Sequence, residues 1–130
     1  MFLQEIPVEY QKDFFVLAKY LVDADGVFAK QEKAMMEQYF REMQVEPFDI
    51  SGDWNEAVSH LKEVDLKLRK KLLFEYTALC LVDDEYNEAE QKKLGDIAAA
   101  WNISISECDT YKAVATQVLQ AYQKTEQLFR

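Results

Sequence analysis

A chain of 130 residues, 49% hydrophobic and 30% charged, is one globular domain large enough to bury a core without disulfide or metal staples. Its formal net charge of −9 repels phosphate backbones, so nucleic acid is not an expected partner. No apolar run approaches the roughly 18 residues of a spanning helix, and the start, Met1-Phe2-Leu3-Gln4-Glu5-Ile6-Pro7, has neither the basic residues nor the apolar stretch of a signal peptide; membrane insertion is not expected, and the expected compartment is cytoplasmic.

Three glycines and two prolines leave little material for turns, which favours helices over many short strands. The first helix is expected over about 8–24, where Tyr10, Phe14, Leu17 and Leu21 recur at helical spacing, and Asp25-Gly26 ends it. A second follows over about 30–43 with Met36, Tyr39, Phe40 and Met43 inward. Residues 44–52 form the longest irregular stretch. Asp53 then reads as an N-cap, with Glu56 as its third-position partner, for a short helix carrying Trp54, Val58 and Leu61. Asp65 opens a helix over about 66–82 with Leu72, Leu73, Tyr76, Leu79 and Cys80 on its buried stripe. Cys80 reads there as a small buried hydrophobe, and with Cys108 it makes no C-x-x-C pair. Asn87 and Glu90 cap the next helix, which carries Leu94, Ile97, Ala98 and Trp101; Gly95 within it suggests close packing against a neighbour. A last helix is expected over about 107–128, started by Ser106, with Tyr111, Val114, Val118 and Tyr122 on one face. The expected fold is all-α: a single helical bundle of about six or seven helices spanning 1–130.

The chain also repeats itself. Residues 21–32 lie over 79–90 without a gap at an offset of 58, keeping an acid (Asp25, Asp83), an aromatic three residues on (Phe28, Tyr86) and a glutamate seven residues on (Glu32, Glu90). The register extends through Phe14 over Leu72, Met36 over Leu94, Tyr39 over Ile97, Met43 over Trp101 and Val45 over Ile103. The expected unit is a duplicated helix–acidic turn–helix, about 8–45 and about 66–103. Phe14, Leu17, Leu21, Met36, Tyr39, Leu72, Tyr76, Leu79, Ile97 and Trp101 are its expected core.

The acidic turns are the candidate site. As an EF-hand, the first would place Asp23, Asp25, Phe28 and Glu32 at positions 3, 5, 8 and 12, but Leu21 stands at position 1 and Ala29 at position 9. The second has Leu79 at position 1, Leu81 at position 3 and Asp84 where glycine belongs, so the loops are not an EF-hand pair. Glu32 and Glu90 each suit the third position of a helix, where a glutamate reaches back to a free N–H, and Asp25 and Asp83 suit turn amides. Acids that close a helix face the negative end of its dipole, at about 0.3–1 kcal/mol each. Meeting that cost at both turns suggests an offset, which the N-terminus of the following helix, a lysine such as Lys30, or a bound cation could each supply. A twofold relation between the copies would bring Asp25, Glu32, Asp83 and Glu90 together, with Asp23 beside them, as ligands for a divalent cation: calcium, magnesium, manganese or zinc.

An apolar-flanked Asp-Gly turn, an aromatic, and a glutamate opening a second helix resemble the TerB-like domain, the tellurite-resistance module that also forms the N-terminal part of a membrane co-chaperone. The match covers about 14–103 as two copies, with Asp84 departing from the usual glycine. The resemblance implies an all-helical bundle with acids clustered between the repeats, a role in metal or tellurite stress response, and a protein partner that can be membrane-associated. It implies no catalytic activity.

No nucleophile motif, phosphate-cradling glycine loop or Cys/His metal set accompanies these acids. His60, the sole histidine, reads as a surface or partly packed residue. Lys62, Lys67, Arg69, Lys70 and Lys71 read as a solvated face or a contact for an acidic partner. The chain is thus expected to be a non-enzymatic accessory protein. It either binds a divalent cation or is a metal-independent interaction module whose acids serve as turn and cap residues.

Overall fold

The computed structural model describes residues 1–22, 30–82 and 88–130, the side chains of Lys30, Gln31 and Glu32 excepted. Among the described residues, a short 3-10 turn over Leu3–Glu5 leads into six helices: α1 (Val8–Val22), α2 (Lys30–Met43), α3 (Trp54–Leu61), α4 (Leu66–Leu81), α5 (Glu88–Ala100) and α6 (Ile105–Leu128). No strand occurs among the described residues, and no described helix is long and apolar enough to cross a membrane.

Local chemistry sets where these helices start. The Asp53 carboxylate accepts from Asn55 N–H at 2.8 Å and that of Asp65 accepts from Leu68 N–H at 2.8 Å, each satisfying an amide of a first turn. The cap of α6 is Ser104, whose hydroxyl accepts from Glu107 N–H at 3.2 Å, and not Ser106; the helix begins two residues earlier than its acid spacing suggests.

Two helices stop by the same device. Gln44 and Asn102 take left-handed backbone angles, with φ of 56° and 63°. Val45 N–H reaches Phe40 C=O at 2.9 Å, and Ile103 N–H reaches Ala98 C=O at 2.9 Å. Beside these, Gln44 N–H donates to Arg41 C=O and Asn102 N–H to Ala99 C=O, completing a Schellman closure in which an apolar residue folds back over the last turn. The closures stand 58 residues apart. So do the starts of α1 and α4, and those of α2 and α5.

All ten residues expected in the core are at 4% exposure or less. Phe14 lies at the centre, stacked on Tyr76 with ring centroids 5.0 Å apart and edge-on to Tyr39 at 5.3 Å. Phe15 stacks on Phe40 at 4.2 Å, and Phe48, from the irregular connection, closes edge-on over both. That connection runs flat against α1 because Gly52 permits it: its φ is 152°, and a Cβ there would come within 3.1 Å of Val16.

Two expectations about packing fail, the second in part. Gly95 does not mark a close approach, since a Cβ built on it meets nothing within 4 Å. It therefore costs helix propensity without a packing return, and Gly95→Ala should raise stability by about 1 kcal/mol in urea unfolding. The face assigned to α6 holds only in part, with Val118 half-buried as expected. Ala115 is its one buried residue among those described, Tyr111 is half-buried, and Val114 and Tyr122 are 42% and 63% exposed.

Candidate functional site

In sequence, the candidate acids lie between α1 and α2, between α4 and α5, and in the first turns of α2 and α5. Asp23, Asp25 and Asp83 lie outside the described residues. Glu32 is the third residue of α2, with its side chain likewise outside them. Glu90 is described. It is the third residue of α5, as its spacing predicts, and only 4% exposed. A carboxylate is rarely buried without compensation, because desolvating its charge costs several kcal/mol.

The surroundings of Glu90 bring the flanks of the two turns together. Lys93, one turn along α5, donates from Nζ to Tyr20 C=O at 2.7 Å, and its ammonium stands 3.7 Å from the centroid of the Tyr20 ring. Tyr20 belongs to the last turn of α1, which leads to the first acidic turn, while α5 follows the second. One lysine thus fixes the exit of α1 against the entry of α5, and supplies positive charge at the same end of the bundle. Tyr20 is held from its other side by Trp54, stacked at 4.4 Å. Among the described residues, no group of three or more His, Cys, Asp or Glu side chains is arranged to hold a metal ion.

A second polar arrangement is one the sequence did not reveal. His60, in the last turn of α3, pairs through Nδ1 with Asp13 of α1, and its ring lies 4.5 Å from that of Tyr10. Residues 13 and 60 belong to no common motif; only the packing of α3 along α1 brings them together. The hydrogen bond to Asp13 raises the His60 pKa above its ordinary value against a smaller opposing effect of burial, and Asp13, Glu63 and Glu9 add negative potential. Because the folded value lies above the unfolded one, the pair's stabilisation is complete below about pH 6.5 and is lost as pH rises through the raised folded value. Thermal melts from acid to mildly alkaline pH should show this decline, and His60→Gln should remove it. Asn55, Glu56, Ser59 and Glu63 line a shallow surface depression beside His60. Ser59 and His60 are successive helical residues and do not face one another, which does not favour a Ser–His dyad.

The basic run is absorbed largely by the fold itself. Lys70 pairs with Glu107 at 3.0 Å, Lys71 with Glu5 at 2.6 Å, and Arg69 donates from Nη1 to Trp101 C=O at 2.9 Å. It is less a docking patch than a belt joining α4 to the N-terminal turn and to α6.

Comparison with protein-family models, with curated proteins and with solved structures returns no match to this chain.

Proposed function

We propose that the chain is a non-enzymatic accessory protein of TerB-like organisation, built from two copies of a helix–acidic turn–helix unit. In this reading Asp25, Glu32, Asp83 and Glu90, with Asp23 beside them, hold a divalent cation between the copies, in a metal or tellurite stress response. The observation that carries the reading is the buried carboxylate of Glu90, next to the lysine that ties α5 to the end of α1. The common offset of 58 in helix starts and in Schellman closures supports the duplication. Placement of Glu90 at the third residue of α5 favours a second reading, in which the glutamates are cap residues and the protein is a metal-independent interaction module.

A thermal-shift screen of chelator-treated protein against calcium, magnesium, manganese and zinc separates the two. A site saturated a hundredfold above its dissociation constant stabilises the fold by about 2.7 kcal/mol. Asp25→Asn with Asp83→Asn should abolish that gain while leaving the metal-free melt in place. Melting temperatures unmoved by millimolar ions would leave the cap reading, with the partner to be found by pull-down.

A further inference from the structure

The main-chain nitrogen of residue 1 is gripped from two helices. The α-ammonium of Met1 stands 2.8 Å from Glu42 Oε1 of α2 and 2.8 Å from Glu75 Oε1 of α4. Phe2 N–H donates to the same Glu75 oxygen at 2.8 Å. Glu75 is only 6% exposed, and a carboxylate so buried is costly unless it is paired and hydrogen-bonded. Lys71, one turn back on α4, is paired with Glu5 and lies over the Phe2 ring, so the ammonium serves Glu75 instead.

A buried hydroxyl completes the site. That of Tyr39, on α2, has no hydrogen-bond partner among the described residues and lies within electrostatic reach of both carboxylates. Burial first, then the charges of Glu75, Cys80 and Glu42, push its pKa well above the ordinary tyrosine value, so it stays a neutral hydroxyl with a proton to offer.

Residues 1–6 form a strap over the core. Leu3 is fully buried, Ile6 is buried, and Phe2 sits edge-on to Phe74 at 6.2 Å. At the offset of 58, Leu3 falls on Leu61 and Ile6 on Val64, which are buried too. Leu61 has the whole of α3 to hold it. Leu3 has one 3-10 turn, which is not stable alone, and the grip on residue 1.

We propose that Glu42 and Glu75 form an ammonium-recognition site, and that docking of residues 1–6 depends on the charge of the residue 1 nitrogen. A free, protonated amine closes the strap, as in other folds that capture an amino terminus. An acyl group, or a residue ahead of Met1, turns that nitrogen into a neutral amide with one N–H, which cannot serve both carboxylates. Glu75 is then buried without its counter-ion, and the strap opens. The site thus reads the chemical state of residue 1 and passes it to the core through Leu3 and Ile6.

Deprotonation should act like acylation. The titratable groups around the amine are Glu42 and Tyr39 of α2, Glu75 and Lys71 of α4, and Glu5 of the strap itself. Burial alone lowers the amine's pKa, but hydrogen bonds to Glu42 and Glu75 and their charges outweigh it and leave the value raised. With the folded value above the unfolded one, the strap's contribution is complete below about pH 8 and is lost as pH rises through the raised value.

Three forms of the full chain test this: Met1 with a free amine, Met1 Nα-acetylated, and Gly-Ser placed ahead of Met1. The Glu5 and Ile6 amides, which bond to Phe2 C=O and Leu3 C=O, should be protected from hydrogen exchange in the first form. In the other two they should exchange at least several-fold faster, with a lower melting temperature. Glu75→Gln in the free-amine form should match them and make acetylation nearly silent. Glu42→Gln, at the more exposed carboxylate, should shrink the effect of acetylation with a smaller loss, and it serves if Glu75→Gln does not fold. Between neutral pH and about pH 10 the free-amine form should lose more of its melting temperature than the acetylated one. Equal protection and melting in all three forms, or acetylation costing as much in Glu75→Gln as in the unaltered chain, overturns the proposal.

Discussion

Trp101→Ala should lower the unfolding free energy by about 3–5 kcal/mol, the range of aromatic-to-alanine truncations in a packed core. Trp101 is fully buried beside Tyr76, with ring centroids 6.3 Å apart. Its indole N–H donates to Val58 C=O at 3.0 Å, and its own carbonyl accepts from Arg69. Truncation therefore opens a cavity and also removes one of the two donors to the Val58 carbonyl, which keeps only Lys62 N–H at 3.1 Å, a smaller loss that adds to the volume effect. Trp101→Phe separates the two, since it fills most of the space and restores no donor; it should retain more than half of the stability lost by Trp101→Ala. Urea unfolding followed by circular dichroism measures both. A loss below about 1 kcal/mol for the alanine variant would mean that the junction of α3, α4 and α5 is not the centre of the core.

Leu79→Ala carries the next largest effect, about 2–5 kcal/mol. Leu79 lies in the last turns of α4 and is fully buried. Leu21, 58 residues earlier, holds the matching place in α1 and is also fully buried. If the copies are equivalent environments, Leu21→Ala should cost the same to within about 1 kcal/mol. Residues that share one core are close enough to couple, so the double variant should depart from the sum of the singles by about 0.5–3 kcal/mol. Equal single losses with a measurable coupling would support one shared core; a loss below about 1 kcal/mol at Leu79 would refute its central placement.

Helical periodicity carried the fold into view because most stripes here face one core. Phe14, Leu17 and Leu21, or Leu72, Tyr76 and Leu79, sit at the spacing that a single buried face requires, and all six are buried. Caps were legible where an acid precedes an apolar helix, as at Asp53 and Asp65. The periodicity misled in part of α6, whose contact face is set by the neighbouring α4: a small residue, Ala115, marks the close approach between half-buried Tyr111 and Val118, while the larger Val114 is 42% exposed. Glycine misled for a related reason. Gly95 looks structural by its rarity, but the backbone needed relief at Gln44 and Asn102, where no glycine stands. The Asp13–His60 pair could not be foreseen, because it arises from long-range packing between two helices that share no motif. At the candidate site, the third-position placement of Glu90 was legible from spacing. Its burial and the lysine bridge to Tyr20 were not, since both depend on how α5 meets α1.

Three cross-bonds in the interior run in one chemical sense. Tyr76 O–H donates to Phe14 C=O at 2.9 Å, the Trp101 indole to Val58 C=O, and Lys93 to Tyr20 C=O. Each donor belongs to a side chain of residues 66–103, and each acceptor to the main chain of residues 8–61. The C-terminal part therefore latches onto the backbone of the N-terminal part, at places where side-chain substitution in the acceptor residue cannot remove the acceptor atom. Neither part can open while the other stays closed without stranding these groups, so both should form a single cooperative unit in native-state hydrogen exchange, reporting one opening free energy for the core amides of α1 and α4. The last turns of α6, where Tyr122 and Leu128 are exposed, lie outside that latch and should exchange far sooner.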